Sequence, residues 1–301
     1  MSPQDPHRPS PGAREPSARS RFTGPSDLHL HSDHSDGTEP PSKVVAAAHR
    51  HGLRTIALTD HDTTSGWAEA ADAASSLGMT FLPGMELSAR HQWRSVHVLA
   101  YLVDPDDAGL RALTDRIRDS RLTRARTMAD RISRDYDLDW HDIEAQTAAG
   151  ATVGRPHIAD ALIAKGLVRD RGEAFAGILH PGSDYYVALY APDPVHAVSA
   201  IVGAGGVPVI AHPAARAGLP VDLTRQMIDA GLAGFELGHR ENQEPGLGRL
   251  RTLARTHDLI VTGSSDYHGL GKPNLPGENT TSDDMVARII DRATGSTPVY
   301  P

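Results

Sequence analysis

From Ser26 onward the chain alternates short apolar runs with stretches in which apolar residues recur every three or four positions. SDLHLH reads as a strand, SKVVAAAHRHG as a helix, RTIALTDHD as a strand, the Ala-rich stretch from Thr64 to Leu77 as a helix and MTFLPGMELS as a strand. This β-α-β-α-β order predicts a parallel sheet or barrel. SVHVLAYLV from Ser95 is a further strand. Residues 106–134 then predict a long Arg-rich amphipathic helix, followed by the acidic turn DYDLDWHD and two helical pieces around 155–166 and 170–179. Alternation resumes with a helix from Pro194 to Gly203, the strand VPVIAHP, a helix near 222–230, the strand AGFELG, a helix near 247–257 and the strand LIVTGSSDYH. The pattern is that of an α/β barrel over residues 25–301 with a helical insert at about 104–190. No solenoid repeat or heptad seam is present. The glycines of GAGG (Gly203, Gly205, Gly206) follow a helix and precede a strand, so they read as a helix stop and not as a phosphate loop.

Composition adds three constraints. With 39% hydrophobic and 23% charged residues over 301 positions, the chain can bury one sizeable core. Residues 1–24, rich in Pro, Ser and Arg, cannot offset their ordering entropy and read as a disordered tail. Neither a secretion signal nor a bilayer-length apolar run is visible, so a cytoplasmic location without membrane association is expected. The net charge of -8 disfavours broad attraction to nucleic acid, which would have to be met locally, at a site. The absence of Cys removes thiolate metal sites and thiol nucleophiles, leaving nitrogen and oxygen ligands.

Candidate ligands cluster at strand ends, where loops of parallel α/β folds converge. They are His29, His31, Asp36, His61, Glu86, His97, His212, Asp266 and His268. His29 and His31 are two apart on a strand and so share a face, either as a chelating pair or as a hydrogen-bonded one. Asp36 follows at once in the turn Ser35-Asp36-Gly37. His61 lies in TDHD, whose Asp60 and Asp62 either cap the next helix or orient a ligand histidine. Glu86 sits just past Phe81 and Leu82, exposed or paired with a cation. His97 is the one ionisable group in an apolar strand, where a satisfied core histidine is the plainer alternative. His212 ends its strand before a proline, and Asp266 and His268 are again two apart. Nine such groups at strand ends suit divalent cations that activate a water and neutralise phosphate oxygens. Mixed imidazole and carboxylate ligands suit Mn, Fe or Zn better than Mg or Ca.

The motifs DLHLHSDHSDG, TDHDT, GMELS, VHVL, AHP and SDYH, in this order between about Ser26 and Gly269, resemble those of the polymerase and histidinol phosphatase (PHP) family of metal phosphoesterases. The resemblance implies a distorted (β/α)7, TIM-like barrel with three divalent metal ions, manganese favoured. One ion would take His29, His31, Glu86 and Asp266, a second Glu86, His97 and His212, and a third Asp36, His61 and His268. Glu86, Asp266 and His268 would serve catalysis, the last two as proton carriers for a metal-activated water attacking phosphorus.

Within the family, GRPHIADALIAKG and HPGSDYYV resemble the subgroup that removes the 3′-phosphate of nucleoside 3′,5′-bisphosphates and trims short 5′-phosphorylated RNA. The implied partner is therefore a small phosphorylated substrate, with no obligate protein partner expected. Arg155 and His157, opening an insert helix, would grip phosphate or simply cap the helix. His239 in ELGHRE is a further candidate phosphate contact. Asp184 departs from the basic or small residue expected before the tyrosines. The other nine histidines, His7, His34, His49, His51, His91, His141, His180, His196 and His257, read as solvated or structural. The Arg-rich run from Arg111 to Arg134 reads as a salt-bridged solvent face, with an RNA-tracking surface as the alternative. Competing readings are a histidinol-phosphate-type or other small-molecule phosphatase, a metal-dependent amidohydrolase, and a non-catalytic polymerase-associated module.

Overall fold

A computed structural model describes residues 24–92, 94–215 and 218–301; most of the expected tail, residues 1–23, lies outside the described residues. Seven strands form one sheet in sequence order: β1 (Ser26–Leu30), β2 (Thr55–Leu58), β3 (Thr80–His91), β4 (Arg94–Tyr101), β5 (Val207–Ile210), β6 (Gly234–Gly238) and β7 (Ile260–Gly263). The sheet nearly closes on itself. Leu30 bridges Tyr267, just past β7, and Ser264 Oγ accepts the Leu28 N–H. Helices α1 (Pro41–Arg50) and α2 (Trp67–Ser76) connect β1 to β2 and β2 to β3; α8 (Val221–Asp229) and α9 (Gly246–Thr256) do the same for β5, β6 and β7.

The expected parallel order holds for β1–β2, β2–β3, β5–β6 and β6–β7, but β4 is antiparallel to both β3 and β5. The reason is connection length. Only two residues separate His91 from Arg94, and a parallel crossover needs a dozen or more. Reversal of β4 has a functional result, because it brings His97, near the start of β4, to the barrel end where the other strands finish. The Ala211 N–H, just past β5, donates to the His97 carbonyl at 3.1 Å.

The helical insert runs through α3 (Ala108–Ile132), α4 (Trp140–Glu144), α5 (Arg155–Ala164) and α6 (Arg171–Ala176), and α7 (Pro194–Gly203) returns to β5. Asp107 starts α3 by accepting the Leu110 N–H at 2.8 Å. The expected acidic turn at 135–142 contains a short helix, α4, because Asp139 and Asp142 cap it reciprocally. The insert has its own apolar cluster, with Met128, Ile132, Ile143, Ile158, Leu162 and Leu179 buried together. One barrel cluster draws Leu28, Ala57, Leu82, Leu99, Val209 and Ile260 from six strands. Val286 and Ile289 complete it from α10 (Asp283–Arg292), a helix the sequence pattern had not indicated. GAGG ends α7 as expected: Gly205 takes φ +71°, and its carbonyl accepts the Thr294 and Gly295 N–H groups.

Candidate metal centre

All nine candidate ligands come together at one end of the barrel. His29 and His31 share a face as their spacing requires, with Nε2 atoms 3.1 Å apart. Glu86 Oε2 lies 3.3 and 3.1 Å from these two nitrogens, and Asp266 Oδ1 is 3.4 Å from each. Three compact donor groups result: His29, His31, Glu86 and Asp266; His31, Asp36 and His61; and His61, Glu86 and His97. His212 and His268 stand at the margins, with His212 Nε2 3.5 Å from Glu86 Oε1 and His268 Nε2 3.1 Å from Asp36 Oδ1. Asp62, His212 and Asp266 adopt positive φ values of 55°, 32° and 56°. Non-glycine residues held there mark backbone shaped for side-chain placement.

The donor atoms fit cations better than one another. Asp36 Oδ1, His61 Nδ1, Glu86 Oε1, His239 Nε2 and His268 Nε2 are buried without a partner of hydrogen-bond geometry among the described residues. Buried polar atoms left so are costly, and here they converge. Burial would raise Glu86, but the imidazoles of His97, His61 and His29 hold its carboxyl well below the usual range. Against the same burial, His268 and His61 hold Asp36 down, and Lys272, His268 and His29 hold Asp266 down. Burial keeps His61 and His268 below the ordinary imidazole value. Ionised carboxylates beside neutral imidazoles are the ligating forms. His29 and His31 depart from this: burial would lower both, yet Glu236, Glu86 and Asp266 raise His29 well above the ordinary value, and Glu86 and Asp36 raise His31.

Around these groups runs a network of buried acids. Asp60 accepts from Ser32 N at 2.8 Å, Ser32 Oγ at 2.6 Å and Ser35 Oγ at 2.6 Å, pinning the turn that carries Asp36. Asp62 accepts from Ser88 N at 2.7 Å and Arg121 Nε at 2.9 Å. Neither aspartate caps α2, whose N-cap Gly66 provides no side-chain cap; Asp60 reaches His31 only through Ser35 Oγ, and the Asp62 carboxylate bonds to Ser88 and Arg121. Glu236 was not singled out from the sequence. Its Oε1 lies 2.9 Å from His29 Nδ1, and its Oε2 accepts the His212 N–H at 2.9 Å. Glu236 stands two residues into FELG on a strand that carries no nearby histidine pair, so no local signal marked it.

A cavity of about 1070 Å³ opens on the cluster, lined also by the insert and by the loop after β7. Arg155 lines it; its Nη1 donates to the Leu179 carbonyl at 3.1 Å, and its guanidinium lies 5.0 Å from the Phe175 ring centroid. His157 is buried, and its Nδ1 accepts the Gly154 N–H at 3.0 Å, the capping alternative for this residue. His239 is buried within the cluster, 3.5 Å from Asp266 Oδ2. Further lining groups were not singled out as site residues in the sequence: Lys272, whose Nζ is 2.5 Å from Asp266 Oδ2, and His180, which the sequence placed among the solvated histidines. The Arg-rich run of α3 is also not wholly a solvent face, since Arg121 and Arg124 are buried and line the cavity.

Comparison with known proteins agrees with this geometry. The PHP domain family model matches residues 27–159. The 3′,5′-nucleoside bisphosphate phosphatase of Chromobacterium violaceum is 34% identical over 281 residues, covering 88% of this chain and 95% of that one. A 5′-3′ exoribonuclease of Haemophilus influenzae is 30% identical over 249 residues, covering 80% and 89%. The crystal structure of a protein assigned as a metal-dependent phosphoesterase from Bifidobacterium adolescentis superposes with a TM-score of 0.87 at 42% identity, covering 89% and 96%. With the ligand cluster, the nearly closed seven-stranded barrel and relatives matched along almost their whole length, the chain belongs to the PHP family of metal-dependent phosphoesterases and is a hydrolase of phosphate esters.

Proposed function

We propose that this enzyme removes the 3′-phosphate of nucleoside 3′,5′-bisphosphates, and also trims short 5′-phosphorylated RNA, with three divalent ions, manganese favoured, in its site. The observation that carries the reading is the convergence of unpartnered ligand atoms around Glu86 at the floor of a cavity whose other lining residues include Arg121, Arg124, Arg155, Arg171 and Arg240. An acidic protein with a locally basic cavity selects a compact anion by fit and charge. The relatives named for nucleotide and RNA substrates support that class of anion. His29, His31, Glu86 and Asp266 would hold one ion; Glu86, His97, His212, Asp36, His61 and His268 would hold the others. Divalent ions so held supply charge against the phosphate oxygens and acidify the attacking water. The chain's own groups do the rest. Asp266 lies beside His268 Nδ1 at 3.4 Å and Lys272 Nζ at 2.5 Å, which keep its carboxylate ionised and so able to accept a proton. Burial opposes the charge on Lys272, but Asp266 and Asp36 push its ammonium up to about 12, so it stays a cation in the cavity lining and would offset negative charge that builds there. No helix among the described residues is long and apolar enough to cross a membrane; the reading places the enzyme in the cytoplasm with its nucleotides.

The test is phosphate release from adenosine 3′,5′-bisphosphate with added Mn²⁺, beside a chelator-treated sample and beside histidinol phosphate. Rapid chelator-sensitive release from the bisphosphate, exceeding that from histidinol phosphate, is expected. Release from histidinol phosphate alone would transfer the assignment to a small-molecule phosphatase.

A further inference from the structure

The insert reaches the barrel through Arg171, the first residue of α6. Its Nε and Nη2 fork onto the two oxygens of Asp160, on α5, at 2.7 and 2.6 Å. The two hydrogens of Nη1 are left pointing the other way. They meet two carbonyls of the barrel, Asp36 at 3.3 Å and Gly271 at 3.4 Å. The first carbonyl belongs to a candidate ligand in the turn after β1, and the second lies in the loop after β7, three residues past His268. Gly271 is matched to this contact. Its φ is not left-handed, so the backbone does not call for glycine, but a Cβ there would run into the Arg171 guanidinium.

The same two loops are joined to each other. The Thr38 N–H donates to the His268 carbonyl at 3.2 Å, and Thr38 Oγ1 accepts the Leu270 N–H at 2.8 Å. A second tie from the insert, the Thr152 N–H to the His34 carbonyl at 2.9 Å, holds the turn after β1. Between the loops, Asp36 Oδ1 and His268 Nε2 stand 3.1 Å apart, both buried and both without a partner of hydrogen-bond geometry among the described residues. Their spacing is fixed by two loops at the closing seam of the barrel and not by one strand. We infer that Arg171, gripped by Asp160, is a positioning residue that sets the spacing of Asp36 and His268 and so assembles the cation site these two donors share. Arginine suits the task because its planar fork serves one carboxylate and two carbonyls in fixed directions, which the single ammonium of lysine does not. Ile158, Ala159, Ala161, Leu162 and Ala174 bury the α5 and α6 faces that carry the pair, so the grip is anchored in the insert's own core. This inference deepens the three-ion reading and rests on Asp36 being a ligand; it does not depend on the substrate.

The test is Mn²⁺ titrated calorimetrically into the full-length, chelator-treated protein, with Asp36→Ala marking the ion that depends on Asp36. Arg171→Met, which removes every donor, should weaken that ion by about tenfold or more, the scale on which a group orienting a ligand acts, and leave the other ions unchanged. Arg171→Lys should recover only part of the loss, and Asp160→Asn, which releases the grip, should weaken the same ion. Unchanged affinity in Arg171→Met would overturn the inference. Equal weakening of every ion would make Arg171 a general structural group and overturn it too, and full recovery in Arg171→Lys would overturn the fork. Gly271→Ala should weaken the marked ion in the native background and add nothing in the Arg171→Met background; equal effects in both would show that the contact is not the cause. If the unsubstituted protein binds only two ions, the three-ion reading fails while the comparison stands, because Asp36→Ala still marks the ion that Arg171→Met has to weaken. If Asp36→Ala removes no ion, both fail.

Discussion

Glu236 Oε1 lies 2.9 Å from His29 Nδ1, with both side chains completely enclosed. Burial would raise Glu236, but His29 holds it below its ordinary value, so it accepts and His29 Nδ1 donates. In the neutral, ligating form of the ring, Nε2 is thereby the nitrogen that carries the lone pair, facing Glu86 and Asp266. A partner that sets the tautomer of a ligand histidine typically matters 10- to 100-fold in metal affinity. Glu236→Gln should accordingly weaken metal binding by about 10- to 100-fold, with activity recovered at high Mn²⁺. Metal titration followed by activity checks this; affinity equal to that of the unsubstituted enzyme would remove Glu236 from the site.

Asp36 and His61 bring two of the unpartnered atoms to the cluster. Asp36→Ala and His61→Ala should each reduce turnover by about 100-fold or more, the scale on which one electrostatic stabiliser counts. Bound metal per chain should fall while the circular dichroism spectrum is unchanged. Near-normal turnover in both variants would sink the three-ion proposal.

Asp60 holds two serine hydroxyls and one backbone N–H in a buried turn. Hydrogen bonds to a charged acceptor contribute about 1.5–3 kcal/mol each and are not additive. Asp60→Ala should therefore lower the unfolding free energy by roughly 3 kcal/mol, measured by urea titration of the metal-free protein. It should also reduce activity by displacing Asp36. An unchanged midpoint would show that the turn holds itself.

The Asp27 carboxyl is fully buried and pushed up to about 6 from 3.8 by burial, against the N–H groups of Ser265 and Gly277 that favour its ionised form. Between those two values the folded protein binds more protons than the unfolded chain, so this group's contribution falls as pH rises through the window. The contribution is fully present below pH 3.8 and lost above about 6. At ~1.4 kcal/mol per pH unit the loss amounts to ~3 kcal/mol. Asp27→Asn cannot titrate, so its stability relative to the native protein should rise by up to that amount between pH 4 and 7. Parallel unfolding curves for the two proteins over this range would contradict the assignment.

Much of the site was legible in the chain because the signals were local. His29 and His31 share a face through the two-residue period of a strand, and Asp266 and His268 repeat the spacing. His61 and His212 stand where apolar runs stop, which is where strands end and loops gather. Glu236 carried no such signal, since a single acid two residues into FELG looks like any half-buried strand position. Only the fold brings it to His29, 207 residues away in sequence. The direction of β4 was readable in principle from its two-residue connection to β3, whereas the closure of one barrel cluster by α10 was not.

The sequence by itself determined the succession of strands, the helical insert and the inventory of candidate ligands, because each follows from periodicity and residue chemistry within a few positions. Tertiary structure alone decided that Asp60 and Asp62 brace the site and do not cap a helix, and that His157 caps α5. It also turned two arginines of a charge-rich helix inward. Charge pairing along α3 says what the helix can expose, but which face meets the barrel depends on packing against elements far away in sequence. That packing leaves Arg124 buried with no carboxylate partner among the described residues.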